Sequence, residues 1–190
     1  MSYPNLSALL EAIVYLAKEP VSLDDIHAAV PEVDANEIER TLSELIERYR
    51  TGHHGIEIRE VAGGYRFSTK PEHHEVLKQF IKTQIPPTRL SLAALETLAV
   101  IAYKQPVTVP EIQDIRGVHA SSVIKTLLDK KLITTAGRKE VLGRPILYKT
   151  TKEFLIHFGL KDLAELPSME EFEELIKAQA GAEEEIISPS

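Results

Sequence analysis

An internal repeat constrains this chain more than any other feature. The segment ALLEAIVYLAKEPVSLDDI at residues 8–26 returns as ALETLAVIAYKQPVTVPEI at residues 94–112, without a gap and at an offset of 86 residues. In 190 residues there is room for two cores of about 80 residues each, so the repeat predicts one small fold used twice. The identical pairs are Ala8/Ala94, Leu9/Leu95, Val14/Val100, Lys18/Lys104, Pro20/Pro106, Val21/Val107, Ile26/Ile112, Ile38/Ile124 and Leu42/Leu128.

Each copy shows the same order of elements. Apolar residues at helical spacing precede Pro20, and Ser22 with Asp25 has the spacing of a capping box for a second helix. A third amphipathic segment begins after Asp34, and two β-like runs follow, joined by the turn sequence Ala62-Gly63-Gly64. Three helices and a β-hairpin are typical of a winged helix. The sequence therefore predicts a mostly α fold with small β-hairpins (α+β), in tandem winged-helix domains.

The linker between the copies is marked by Pro86-Pro87, because proline donates no amide and restricts the residue before it. We expect a first domain at 1–85 and a second at 86–167. Residues 168–190 are expected to form a short helix from Met169 to Ala178 and an acidic, disordered tail.

Composition narrows the function. The chain has no cysteine and no glycine-rich phosphate loop, nucleophile elbow or HExxH pair, so the sequence predicts neither an enzyme, nor a cofactor, nor a metal site. The adjacent histidines at 53–54 and 73–74 are interpreted as surface residues. No apolar run reaches the length of a membrane span, which favours a cytoplasmic protein.

Charge bears on the alternative function, a winged-helix DNA-binding regulator. The net charge is −5 in residues 1–85, +5 in 86–151 and −7 in 152–190. The third helix of the first copy begins with acidic residues, which repel phosphates. Its counterpart begins with His119, Ser121 and Ser122 and lacks the residues that usually contact base edges. These features predict at most weak, nonspecific DNA contact.

The first helix carries more apolar residues than one face can hold. The spacing predicts a core stripe, and a second stripe of Leu6, Leu10 and Val14 adjoins it at four-residue intervals. The second copy has Glu96 where the first has Leu10. An extra apolar stripe on one copy suggests a second subunit. The alternative is that the helix predicted at 72–82 covers this stripe within one chain. The residues that we assign to the core stripe of this helix are Leu9, Ala12, Ile13, Leu16 and Ala17.

Four segments of the second copy closely resemble the segregation and condensation protein B (ScpB) family: IAYKQPVTV (101–109), IRGV (115–118), GRPILYKTT (143–151) and FLIHFGLKDLAELP (154–167). The resemblance extends over nearly the whole chain. It implies a nucleoid-associated subunit of the bacterial SMC complex for chromosome condensation and segregation, which dimerises through its N-terminal domain. The implied partner is the kleisin ScpA, which links the protein indirectly to SMC.

The resemblance supplies no site residues, so we infer candidates for each contact. Our candidates for dimerisation are Leu6, Leu10 and Val14. For kleisin binding we expect the second domain to contribute, although the aromatic candidates are also compatible with a core and the arginines with hydrogen bonds inside the domain. These candidates are Tyr103, Arg116, Arg144, Tyr148, Phe154 and Phe158.

Overall fold

A computed structural model describes residues 3–82, 90–168 and 171. The described chain is a mixed α and β structure in which helices predominate. The first copy contains α1 (Leu6–Leu16), α2 (Leu23–Ala29), α3 (Ala35–Arg50), β1 (Ile56–Val61), β2 (Gly64–Thr69), a 3₁₀ turn (Pro71–His73) and α4 (His74–Lys82). The second contains α5 (Leu92–Lys104), β3 (Val107–Thr108), α6 (Val109–Arg116), α7 (Ser121–Asp129), β4 (Ile133–Arg138), β5 (Ile146–Thr150), α8 (Lys152–Phe158) and a 3₁₀ turn (Leu163–Glu165).

The capping residues start the second helix of each copy as the sequence predicts. The amide of Asp25 donates to the Ser22 hydroxyl at 3.1 Å, and the Ser22 amide donates to the Asp25 carboxylate at 3.1 Å. Thr108 and Glu111 form the same reciprocal pair at the start of α6. Each pair satisfies backbone donors that a helix start leaves without a partner.

A small antiparallel sheet follows the helices in both copies. In the first, β1 pairs with β2, and Val21 joins them by two backbone hydrogen bonds to Tyr65 of 3.0 and 2.8 Å. In the second, the strand order is β3-β5-β4 and Val107 lies opposite Tyr148. The valine after the repeated proline is therefore a sheet residue in both copies.

Gly64 is required where the first sheet meets the chain leaving α1. A Cβ atom at this position would lie 2.8 Å from the carbonyl of Pro20, closer than side-chain carbons approach backbone. The absence of a side chain lets β2 lie close enough to pair with Val21.

Each copy has its own buried core. The cores contain the corresponding residues Ile26 and Ile112, both fully buried, together with residues from all three main helices. The 85/86 domain boundary stays a prediction. The linker at 83–89 and most of the helix predicted from Met169 to Ala178 lie outside the described residues.

Candidate interaction surfaces

The first helix buries its second apolar stripe most deeply, and of the stripe that the sequence analysis assigned to the core only Leu9 and Ile13 pack against it. Leu10 and Val14 are 0% and 2% exposed and belong to the core of the first copy, and Leu6 packs against that core. The prediction that these three residues form a stripe outside the core is therefore wrong. Helix α3 and strand β2 pack against α1, so the burial of this stripe comes mainly from these two elements rather than from α4.

The opposite side of α1 is the exposed one. Tyr15 and Leu16 are 77% and 81% exposed, and Ala12 is also exposed, although Leu16 and Ala12 were expected in the core. The error has a simple cause. Most residues of α1 are apolar, so helical periodicity alone does not distinguish two adjoining stripes. Only packing against α3 and β2 decides between them.

The second copy covers the equivalent surface. Ile101 and Ala102, which correspond to Tyr15 and Leu16, are 0% and 7% exposed. The segment after α8 contributes to this cover, since Leu160 and Leu166 pack against the second core. The Tyr103 hydroxyl donates a hydrogen bond to the carbonyl of Pro167, which holds the end of that segment against α5.

Helix α4 adds to the apolar surface of the first copy. Its side chains Val76, Phe80 and Ile81 are exposed, and its main packing contacts are with the 3₁₀ turn that precedes it. Within the described residues, the exposed large apolar side chains of the first copy therefore concentrate on α1 and α4, with Ile56 as a further example.

Arg116 is engaged inside the second copy. Its guanidinium donates to the Glu96 carboxylate at 2.5 Å and to the Thr97 hydroxyl at 2.6 Å. The Arg116 side chain is 8% exposed and Thr97 is buried. A buried arginine held by two acceptors joins α6 to α5, which is a structural role rather than an open binding surface.

Arg144 lies on the β4–β5 loop and is exposed. Its guanidinium pairs with Glu140 at 2.8 Å, and its backbone has a φ of +40°. The side chain of Arg138 donates to the Arg144 carbonyl at 2.9 Å, and neighbouring Leu142 is fully exposed. This organised loop presents an apolar side chain beside a cation, which sequence reasoning did not identify.

The same loop is tied to the start of α6. Lys139 contacts the Glu111 carboxylate at 2.5 Å. The hydrogen bond from Lys139, together with those from the Thr108 hydroxyl and amide, lowers the pKa of Glu111 to about 2. An ion pair thus joins the loop to the second helix of this copy.

The aromatic candidates separate into buried and accessible residues. Tyr148 and Phe154 are buried in the second core, so neither is available to a partner on the surface of this chain. Phe158 is 43% exposed at the end of α8, with its ring 5.0 Å from that of Phe154. Partial burial of Tyr103 raises the pKa of its phenol. Of the four aromatic candidates, Phe158 is the most accessible.

The described residues contain no group of three or more potential metal ligands, and none of their helices is long and apolar enough to cross a membrane.

Comparisons with known proteins identify relatives across most of the chain. A family model described as segregation and condensation complex subunit ScpB matches residues 8–169. Segregation and condensation protein B of Myxococcus xanthus is 44% identical over 175 residues, 92% of this chain and 52% of that protein. The Syntrophotalea carbinolica protein of that name is 44% identical over 93% of this chain and 88% of its own length, and the Moorella thermoacetica protein is 47% identical over 88% and 84%. The chain thus spans about half of the first relative and most of the other two.

Two solved structures are also similar. ScpB from Mycobacterium tuberculosis is 31% identical, with coverage of 84% of this chain and 98% of that one and a TM-score of 0.41. A structure described as a dimer of the ScpB N-terminal domain complexed with ScpA peptide is 33% identical. The match covers 39% of this chain and 91% of that one, with a TM-score of 0.36. At these TM-scores the structural likeness adds nothing to the sequence matches.

Proposed function

The chain belongs to the family of segregation and condensation complex subunit ScpB, and we propose that it is a dimeric, non-enzymatic subunit that binds the kleisin ScpA. In this role it acts in an SMC–ScpA–ScpB complex that supports chromosome condensation and segregation, in the cytoplasm at the nucleoid. The observation that carries the proposal is the family match over residues 8–169. The functional units are two tandem winged helices, supported by the repeated order of three helices and a small antiparallel sheet.

Dimerisation uses the exposed face of α1. Tyr15 and Leu16 lie on the side of α1 that corresponds to a covered side of α5, so the first copy leaves open an apolar surface that the second copy closes. A second subunit docking there removes this surface from water, which is the main favourable contribution to association. Helix α4, with Val76 on its exposed side, offers further apolar surface in the first copy.

ScpA binding uses the accessible part of the second copy. Phe158 offers a half-exposed aromatic ring, and the β4–β5 loop offers Arg144 beside Leu142. Aromatic and arginine side chains are enriched among the residues that dominate binding energy in protein interfaces. Arg116 supports this surface from inside by fixing α6 on α5.

Co-expression with ScpA, followed by affinity purification and mass determination, tests the proposal directly. We expect a stable complex that contains ScpA and two copies of this chain. We also expect ScpA to bind this protein when the two are purified separately and then mixed. In titrations, Phe158→Ser should weaken ScpA binding about tenfold or more and Arg144→Glu about threefold to tenfold. Lys125→Glu is a matched control, since it reverses an exposed charge on α7 rather than on α8 or the β4–β5 loop.

Two outcomes would contradict the proposal. One is that ScpA and the folded protein do not associate at any accessible concentration. The other is tight DNA binding that depends on sequence and survives raised salt, because phosphate contacts weaken steeply with salt while base-specific contacts do not. That result would favour the DNA-binding regulator instead.

A further inference from the structure

Within the part of the chain that the structure describes, a contact that the sequence did not indicate joins the two copies. The Ala62 amide, in the turn between β1 and β2, donates to the Leu160 carbonyl at 2.9 Å. Beside it, the Lys161 ammonium lies 3.0 Å from the Glu60 carboxylate. A Cβ atom at Gly159 would lie 3.9 Å from the guanidinium of Arg59. We call the turn at 59–62 and the loop at 159–161 the clasp.

The turn between β1 and β2 has one backbone amide, that of Ala62, without a partner inside the hairpin. Val61 and Gly64 close the hairpin, and the two residues between them have φ angles of +52° at Ala62 and +73° at Gly63, as in a type I′ turn. In such a turn the amide of the first loop residue has no partner in the ladder. The structure pairs this outward amide with the second copy.

The loop of the second copy is shaped to meet it. Helix α8 ends at Gly159, where φ is +68°, and the Leu160 amide donates back to the Leu155 carbonyl at 2.9 Å. This helix end fixes the direction of the chain. The Leu160 side chain then packs on the second core, while its carbonyl accepts from Ala62.

Electrostatics agree with the contact. The hydrogen bond and the charge of Glu60 raise the pKa of Lys161. A second pair of charges lies across the same boundary: the Ser22 hydroxyl and amide chiefly lower the pKa of Asp25 on α2, and the charge of Lys152 on α8 contributes in the same direction. Both cations therefore come from α8 and its loop, and both anions from the first copy.

We propose that the clasp is an intramolecular interface that holds the two copies in one preferred orientation in the free protein. It gives the chain a second tie besides the covalent linker. The backbone hydrogen bond and the partly exposed ion pair each contribute only modestly to the stability of the clasp. We therefore expect the clasp to open when the ion pair is broken. The proposal concerns this chain alone and does not depend on ScpA binding.

Distance measurement between spin labels tests the clasp. The chain has no cysteine, so Glu44→Cys on α3 and Lys125→Cys on α7 give two labelled sites, both exposed. Labelled protein is mixed with excess unlabelled protein, which suppresses distances between subunits of a dimer. We expect one dominant distance in the parent, a shifted or broadened distribution in Glu60→Lys, and recovery of the dominant distance in Glu60→Lys/Lys161→Glu.

Glu57→Lys is the matched control. It reverses an acidic residue on the same strand, three residues away and therefore on the opposite face from Glu60. We expect the parent distribution for this variant, and partial opening of the parent at about 1 M salt, where the screening length falls to about 3 Å. Identical distributions in the parent and Glu60→Lys would overturn the proposal, as would a double variant that resembles the single one.

Discussion

The two copies solve the same packing problem with different chemistry. In the first, Leu10 on α1 and Val30 at the end of α2 are both buried in the apolar core. At the corresponding positions of the second, Glu96 and Arg116 form an ion pair that also engages Thr97. The same two positions of the repeat are therefore apolar and buried in one copy and form an ion pair in the other. A glutamate at a buried position of the first copy would need a cationic partner, as Glu96 has in Arg116.

A second difference concerns what covers the first helix. On α5 the surface that contains Ala102 is buried, and the hydrogen bond from Tyr103 to Pro167 holds the end of the segment after α8 against this helix. On α1 the corresponding surface, with Leu16, is open. One copy is thus complete within the chain, whereas the other presents an apolar surface suited to a second subunit.

The largest expected effect comes from transferring half of the ion pair to the first copy. Leu10→Glu places a carboxylate in an apolar core without its cation, which should destabilise the protein by about 3–5 kcal/mol. Denaturant unfolding measures the loss. Glu44→Gln on α3 is the control and should change stability by no more than about 0.5 kcal/mol, because Glu44 is exposed and lies outside the face of α1 proposed for dimerisation.

Adding the partner sharpens that test. Leu10→Glu/Val30→Arg introduces into the first copy the charge pair found in the second. It should therefore recover part of the stability that Leu10→Glu loses. A double variant no more stable than Leu10→Glu would show that the two copies differ in more than these two positions.

Breaking the ion pair in the second copy should cost less. Arg116→Met leaves Glu96 without its cation, but Glu96 is 39% exposed and water solvates it, so we expect a loss of about 2 kcal/mol. Glu96→Leu/Arg116→Met converts the site to the apolar type of the first copy and should lie within about 1 kcal/mol of the parent. If the double variant is as unstable as Arg116→Met, the unpaired carboxylate of Glu96 is not the cause of the lost stability.

The capping pair of the second copy should give a pH dependence. The pKa of Glu111 falls from 4.5 to about 2 on folding, so its ionised form stabilises the fold above pH 4.5 and this contribution is lost as pH falls toward 2. Allowing for solvent screening, Glu111→Gln should lower the free energy of unfolding by about 1 kcal/mol at pH 7 and flatten the profile in that acid range. Thermal unfolding from pH 7 to pH 3 checks both; an unchanged slope would contradict the assignment.

The smallest expected effect tests the cover on α5. Tyr103→Phe removes the hydroxyl that donates to Pro167 and should cost about 1 kcal/mol. Amide exchange should quicken in residues 160–167 while the α7 amides remain unchanged. Equal exchange in that segment would mean that the hydroxyl does not hold it.

Sequence reasoning succeeded where a local signal determines structure. The capping pair Ser22–Asp25 and the hairpin around Ala62-Gly63 depend on neighbouring residues, and both form as predicted. It failed on α1, where apolar residues surround the helix and distant elements choose the buried side. The cover on α5 and the clasp were missed because each joins residues far apart in sequence.

The candidate residues illustrate the same limit. Tyr148 and Phe154 carry no local mark that separates a core aromatic from an exposed one such as Phe158. The comparison of Leu10 with Glu96 located the right contrast, although its meaning lies in the partner, Arg116, which corresponds to Val30.

The central claim is that the open face of α1 is where a second subunit docks, and the mass of Leu16→Glu in light scattering tests it most directly. The parent should have twice the chain mass of 21.2 kDa, while Leu16→Glu should approach a single chain mass at micromolar concentration with unchanged circular dichroism. Leu142→Glu, at a still more exposed leucine of the second copy, should remain dimeric. A Leu16→Glu protein that keeps the parent's dimeric mass would contradict the claim.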